Sequence, residues 1–180
     1  MTKEIKFNEI AYVQNIKLNT KSIISLVNKT PSSSILDEVR SITKTDVDVM
    51  DYSQKPYGME FFQKVKSYIQ NFAKKYHHAE LRVTNYCFVR MKKEDQVDYH
   101  SSFESNFVGI YLLEKSEKNH HICFYSNEKD KDVKIEMNQG DLVLFPSHLL
   151  RKFPNLKSNK IYTYIVFDFH LDKPRIYDKK

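Results

Sequence analysis

The sequence predicts an α+β fold in which helices come first and a run of short strands follows, closing into a sandwich or barrel flanked by those helices. Three observations carry this expectation. After Pro56, apolar residues recur at spacings of three and four (Met59, Phe62, Val65, Ile69, Phe72, Tyr76), the signature of an amphipathic helix with one face on a sheet. From residue 79 the period changes to two, with Leu81, Val83, Asn85, Cys87 and Val89 on one face of a strand. Asn138-Gln139-Gly140-Asp141 then supplies a turn between two later strands.

The elements follow in order. Residues 3–14 alternate loosely through Ile5, Phe7, Ile10 and Tyr12 and read as one or two edge strands. Asn19 or Thr20 can cap a short helix carrying Ile23, Ile24 and Val27. Pro31-Ser32-Ser33-Ser34 reads as a loop, and 35–50 fits neither period. Beyond the long helix, strands are expected at about 79–90, 106–114, 120–126, 131–137, 141–146, 148–153 and 160–170. His77-His78 reads as a solvated helix terminus, and His120-His121 would point to opposite faces of a strand.

With 180 residues the chain is one domain, long enough to bury a sizeable core. Residues 1–80 would support the barrel, 81–170 would form it, and 171–180 would be a tail. Aromatic residues make up 13% with no Trp, so Tyr and Phe must fill much of that core. No apolar run approaches a membrane span and no signal peptide is visible. Cys87 and Cys123 are too few for a disulfide framework, so a reduced, cytoplasmic setting is expected. The net charge is +6, but the basic residues are mostly Lys and are scattered, and nucleic-acid or membrane partners are not expected.

Three ordered segments resemble a known pattern. They are Asn85-Tyr86-Cys87-Phe88-Val89-Arg90 followed by Tyr99-His100-Ser101-Ser102; Phe107-Val108-Gly109-Ile110-Tyr111-Leu112-Leu113; and Gln139-Gly140-Asp141-Leu142-Val143-Leu144-Phe145-Pro146-Ser147, with Pro154-Asn155 and the strand 162–168 after it. Over about residues 81–170 this resembles the 2-oxoglutarate/Fe(II)-dependent oxygenases of bacteria and their phages. Gly109 and Gly140, two of only three glycines, fall on that family's positions. The resemblance implies a double-stranded β-helix of the jelly-roll or cupin-like kind, with N-terminal flanking helices. It also implies Fe(II) and 2-oxoglutarate as cofactors of an active member.

Such oxygenases hold iron with two His and one carboxylate on one face, leaving the remaining positions open. The resemblance puts the first ligand at His100, the second at Ser102 and the third at Arg151. It puts the cationic anchor of 2-oxoglutarate at Tyr162, with Lys160 on the same face. A hydroxyl is a poor replacement for a carboxylate, and a guanidinium stays protonated and repels a cation. The expectation is therefore a fold kept after its iron centre was lost, with no cofactor, serving as a binding or structural protein. If phage-encoded it could be a virion or accessory component working through a protein partner or self-assembly. The alternative is an active dioxygenase with a rearranged centre, using His100, His148 and a carboxylate such as Asp98 or Glu104.

Overall fold

Loose alternation in the first residues becomes an antiparallel pair, β1 (Thr2–Lys6) and β2 (Ile10–Asn15). The computed structural model describes residues 2–6, 10–38, 40–77, 80–102, 104–115, 121–155 and 161–172. Helix α1 (Thr20–Lys29) starts where the Asn19 side chain accepts a hydrogen bond from the Lys21 N–H, which satisfies one of the donors every helix start leaves open. Two short strands follow, β3 (Ser33–Leu36) and β4 (Arg40–Thr45), so the expected loop at 31–34 is already strand from Ser33. Helix α2 (Pro56–His77) begins at a proline, whose missing N–H costs nothing in a first turn.

The remaining strands are β5 (Glu80–Met91), β6 (Gln96–His100), β7 (Phe107–Glu114), β8 (His121–Ser126), β9 (Lys131–Glu136), β10 (Asp141–Pro146), β11 (Arg151–Phe153) and β12 (Tyr162–Asp172). They fall into two antiparallel layers, β5-β12-β7-β10 and β6-β11-β8-β9. Strand β4 joins the layers by pairing with β5 at one end and β6 at the other. Strand β2 extends the first layer by pairing with β10. The chain steps back and forth between the layers as it runs from β5 to β12, which is the double-stranded β-helix expected from the sequence.

Two cores result. Between the helices and the first layer lie Ile23, Val27, Phe61, Val65, Phe72, Tyr111 and Phe167. Between the two layers lie Val108, Ile110, Phe124, Val143, Phe145, Phe153 and Tyr164. Successive residues of β7 and β12 divide between these cores, as the two-residue strand period requires. The turn before β10 is fixed by Asp141, whose carboxylate accepts from the Asn138 N–H and the Asn15 side-chain amide, each at 2.7 Å. Gly140 sits there at φ +89°, a conformation other residues adopt only with strain.

Two sequence expectations are corrected. The buried stripe of α2 is Tyr57, Phe61, Val65, Ile69, Phe72 and Ala73, while Met59 is 72% exposed. The helix is rotated because the Tyr57 hydroxyl donates to buried Asp46 at 2.8 Å, and the other oxygen of Asp46 accepts from the Phe88 N–H at 2.7 Å. Nor do Leu81, Val83, Asn85, Cys87 and Val89 share a face. Asn85 pairs with Asp168 and Val83 with Phe169, so Thr84 is an extra residue, a β-bulge. Leu81 and Val83 therefore face the helices, and Cys87 and Val89 face the interior between the layers.

Candidate functional site

Strands β6 and β11 are neighbours in the second layer, with His100 directly opposite Arg151. The chain leaving β6 is held by a bond from the Ser102 N–H to the Ser147 carbonyl, 2.9 Å. That places the Ser102 hydroxyl as acceptor for Arg151 Nη2 at 2.8 Å. The Arg151 guanidinium lies 5.2 Å from the centre of the Phe145 ring and the residue is only 3% exposed. Its Nε and Nη1 have no hydrogen-bond partner among the described residues. These two atoms carry three of the five guanidinium hydrogens. His100 and Ser102, two positions apart, and Arg151, some fifty positions later, thus form one cluster.

The electrostatics are those of a cation enclosed in apolar surroundings. Burial lowers the Arg151 pKa to about 10, partly offset by the through-space attraction of Asp168. Burial, and then the neighbouring Arg151 charge, lower the His100 pKa to about 4, so the ring is neutral near pH 7. His100 Nδ1 lies 2.9 Å from the Asp98 carbonyl. A carbonyl only accepts, so Nδ1 carries the proton and Nε2 presents a lone pair. Burial raises the Asp168 pKa while Arg151 opposes the rise, and Ser105 Oγ donates to its carboxylate at 3.3 Å.

Arg151 and His100 belong to the wall of a cavity of about 400 Å³. Ile42, Val89, Val97, Phe153 and Val166 form its apolar lining, and Arg40 and Asp98 are also on its wall. Arg40 is already engaged, with Nη2 at 2.7 Å from Asp37. Cys87 lines the cavity too, but burial pushes its thiol up to about 12, so it is no ready nucleophile.

The residues singled out from the sequence divide as follows. His100, Ser102 and Arg151 come together. Tyr162 shares the inward face of β12 but is packed in the core beside Tyr164 and Phe153, 3% exposed, four residues along the strand from the cavity residue Val166. Lys160, His78, His120 and the tail beyond Asp172 lie outside the described residues. His148 and Glu104 are exposed on the connections after β10 and β6. Among the described residues no group of three His, Cys, Asp or Glu side chains is placed to hold a metal ion. Sequence reading missed Asp168 and Arg40. Asp168 was within reach, since Tyr162, Tyr164, Val166 and Asp168 alternate along one strand face, whereas Arg40 lay in the stretch without a clear period.

The fold is a jelly-roll β-helix with a cavity between its two layers. No family model and no curated protein matches the sequence. Solved structures do match. A prolyl-4-hydroxylase of Pseudomonas putida superposes with a TM-score of 0.64 at 10% identity, over 88% of this chain and 91% of that one. HygX of Streptomyces hygroscopicus, solved with nickel, 2-oxoglutarate and hygromycin B bound, gives 0.67 at 10% identity, over 88% and 82%. The viral collagen prolyl hydroxylase of Paramecium Bursaria Chlorella virus-1 gives 0.54 at 11% identity, over 87% and 94%. The chain has the double-stranded β-helix fold of the 2-oxoglutarate/Fe(II) oxygenases, the fold its sequence resembles.

Proposed function

We propose that this protein is a binding domain on the 2-oxoglutarate/Fe(II) oxygenase fold that has lost the iron centre. The observation that carries the reading is the buried Arg151 guanidinium, opposite His100 and bonded to Ser102. Of these three residues only His100 offers a metal donor. Ser102 spends a lone pair on Arg151, and Arg151 brings a positive charge to the place an ion would need. A divalent ion 4 Å from that charge meets a repulsion of about 8 kcal/mol at an effective dielectric of 20. A single imidazole neither offsets that nor fixes a coordination geometry. His100, His148 and a carboxylate from Asp98 or Glu104 do not form a metal-holding group among the described residues, so no specific contact favours a rearranged iron centre.

The test is calorimetric titration with Mn(II) as a stand-in for Fe(II), with 2-oxoglutarate turnover measured alongside. The expected result is no site and no turnover in the wild type, and a Mn(II) site in Ser102→Asp/Arg151→His, which restores two His and a carboxylate on a backbone already shaped for them. Stoichiometric micromolar binding by the unmodified protein would overturn the reading.

A further inference from the structure

The loss of a metal leaves open what the cavity accepts, and its polar inventory narrows the answer. A cation nine-tenths buried with unpaired donors is costly, because water is removed from it without an equivalent replacement. Arg151 is 3% exposed and two of its three nitrogens have no acceptor among the described residues. It lines a cavity of about 400 Å³ whose other walls are mainly aliphatic and aromatic. We propose that this cavity binds a small organic monoanion, its carboxylate against Arg151 and its apolar body against Ile42, Val89, Val97, Phe153 and Val166. This rests on the reading that the site holds no iron.

The size and the charge are both set by the site. At roughly 30 Å³ per water-sized group, the cavity takes a molecule of about a dozen non-hydrogen atoms. Arg151 is the buried cation on its wall, since the other arginine there, Arg40, is 44% exposed and already paired with Asp37. A second carboxylate on the ligand would meet the apolar wall, and Asp98 on the wall and Asp168, which already attracts the Arg151 charge through space, would disfavour more negative charge. A dianion such as 2-oxoglutarate is therefore the poorer guest. The neutral His100 ring, with its Nε2 lone pair, can accept a bond from a hydroxyl or amide on the ligand but supplies no second charge.

The experiment uses hexanoate, benzoate and 2-oxoglutarate as probes with the full-length protein in the presence of a chelator. Binding is read by calorimetry and by the ¹⁵N shift of the buried Arg151 Nε–H. Hexanoate or benzoate should bind with one site, move that resonance in a saturable way, and exceed 2-oxoglutarate in affinity by at least about tenfold, the scale of one charge-assisted contact. Arg151→Met keeps much of the volume and removes the unpaired charge; it should melt no lower than wild type and lose monoanion binding by at least about tenfold. If that variant does not fold, the wild-type resonance shift alone decides. No saturable shift with either monocarboxylate, stronger binding of 2-oxoglutarate, or undiminished binding in folded Arg151→Met would overturn the proposal. In each of these cases an absence of Mn(II) binding would leave the iron-free reading intact, whereas Mn(II) binding by the wild type would remove both.

Discussion

At the scale of single residues, the His100 ring has a measurable consequence for stability. Its folded pKa of about 4 lies below the ordinary 6.5, so on acidification the unfolded chain takes up the proton first. Stability owed to the neutral ring is complete above about pH 6.5, falls as pH drops from 6.5 to 4, and changes no further below. The increment is about 2 kcal/mol for a half-buried ring. Urea unfolding of wild type and His100→Gln across pH 4 to 7 should show a difference that grows toward neutrality; parallel curves would refute the assignment. Gly109 is a second case. A Cβ there would meet the Phe167 ring at 2.1 Å, and that ring is held by Phe61, Phe62 and Phe169. Gly109→Ala should lower stability by about 1–3 kcal/mol through overpacking, read as a lower denaturation midpoint at unchanged slope.

At the scale of elements, the rotation of α2 makes a sharp contrast available. Phe61 is fully buried between the helix and the first layer, and Met59, two residues earlier, is 72% exposed. Phe61→Ala should cost about 3–5 kcal/mol and Met59→Ala less than about 0.5. Equal effects, or the reverse order, would mean that the helix is set the other way round, as periodicity alone suggests. The start of α1 offers a smaller test. Asn19 caps it through Lys21, and Asn19→Ala should cost about 1 kcal/mol, seen as a reduced melting temperature.

At the scale of the whole molecule, β12 is the keystone of the first layer. It pairs along its length with β5, some eighty residues earlier, and on its other edge with β7. A chain ending before Tyr162 would leave both partners with unpaired edges and remove Tyr164, Ile165, Phe167 and Phe169 from the two cores. Such a truncation should yield no cooperative unfolding transition and should aggregate on expression; a folded, cooperative product would show that the layer closes without it. Pairings this distant in sequence also place refolding on the millisecond-to-second scale rather than the microsecond scale of helical bundles. Stopped-flow refolding measures this directly. Among the described residues no helix is long and apolar enough to cross a membrane.

The local signals in the chain determined the element order. The two-residue period from residue 79, the turn at 138–141 and the glycines at 109 and 140 each act over a few neighbours, and each is visible in a line of text. They sufficed for the strands β7 to β10 and, with the ordered motifs, for the double-stranded β-helix and for bringing His100 and Ser102 together with Arg151, but not for Tyr162, which was expected beside them and is packed in the core. Tertiary structure alone decided the rest. The Thr84 bulge reverses the faces of β5 because β12 pairs across it. The Tyr57–Asp46–Phe88 contact turns α2, and it joins three separate segments. Arg40 reaches the cavity wall only because β4 pairs with both layers. Above all, an arginine in a sequence reads as a surface charge. Its enclosure beside Ser102 and the Phe145 ring, with two nitrogens unpaired among the described residues, arises from strands brought together across about fifty residues of chain. Burial and hydrogen-bond satisfaction are properties of the assembled neighbourhood, and here they leave a buried guanidinium with unpaired nitrogens, among the described residues, on the wall of a cavity.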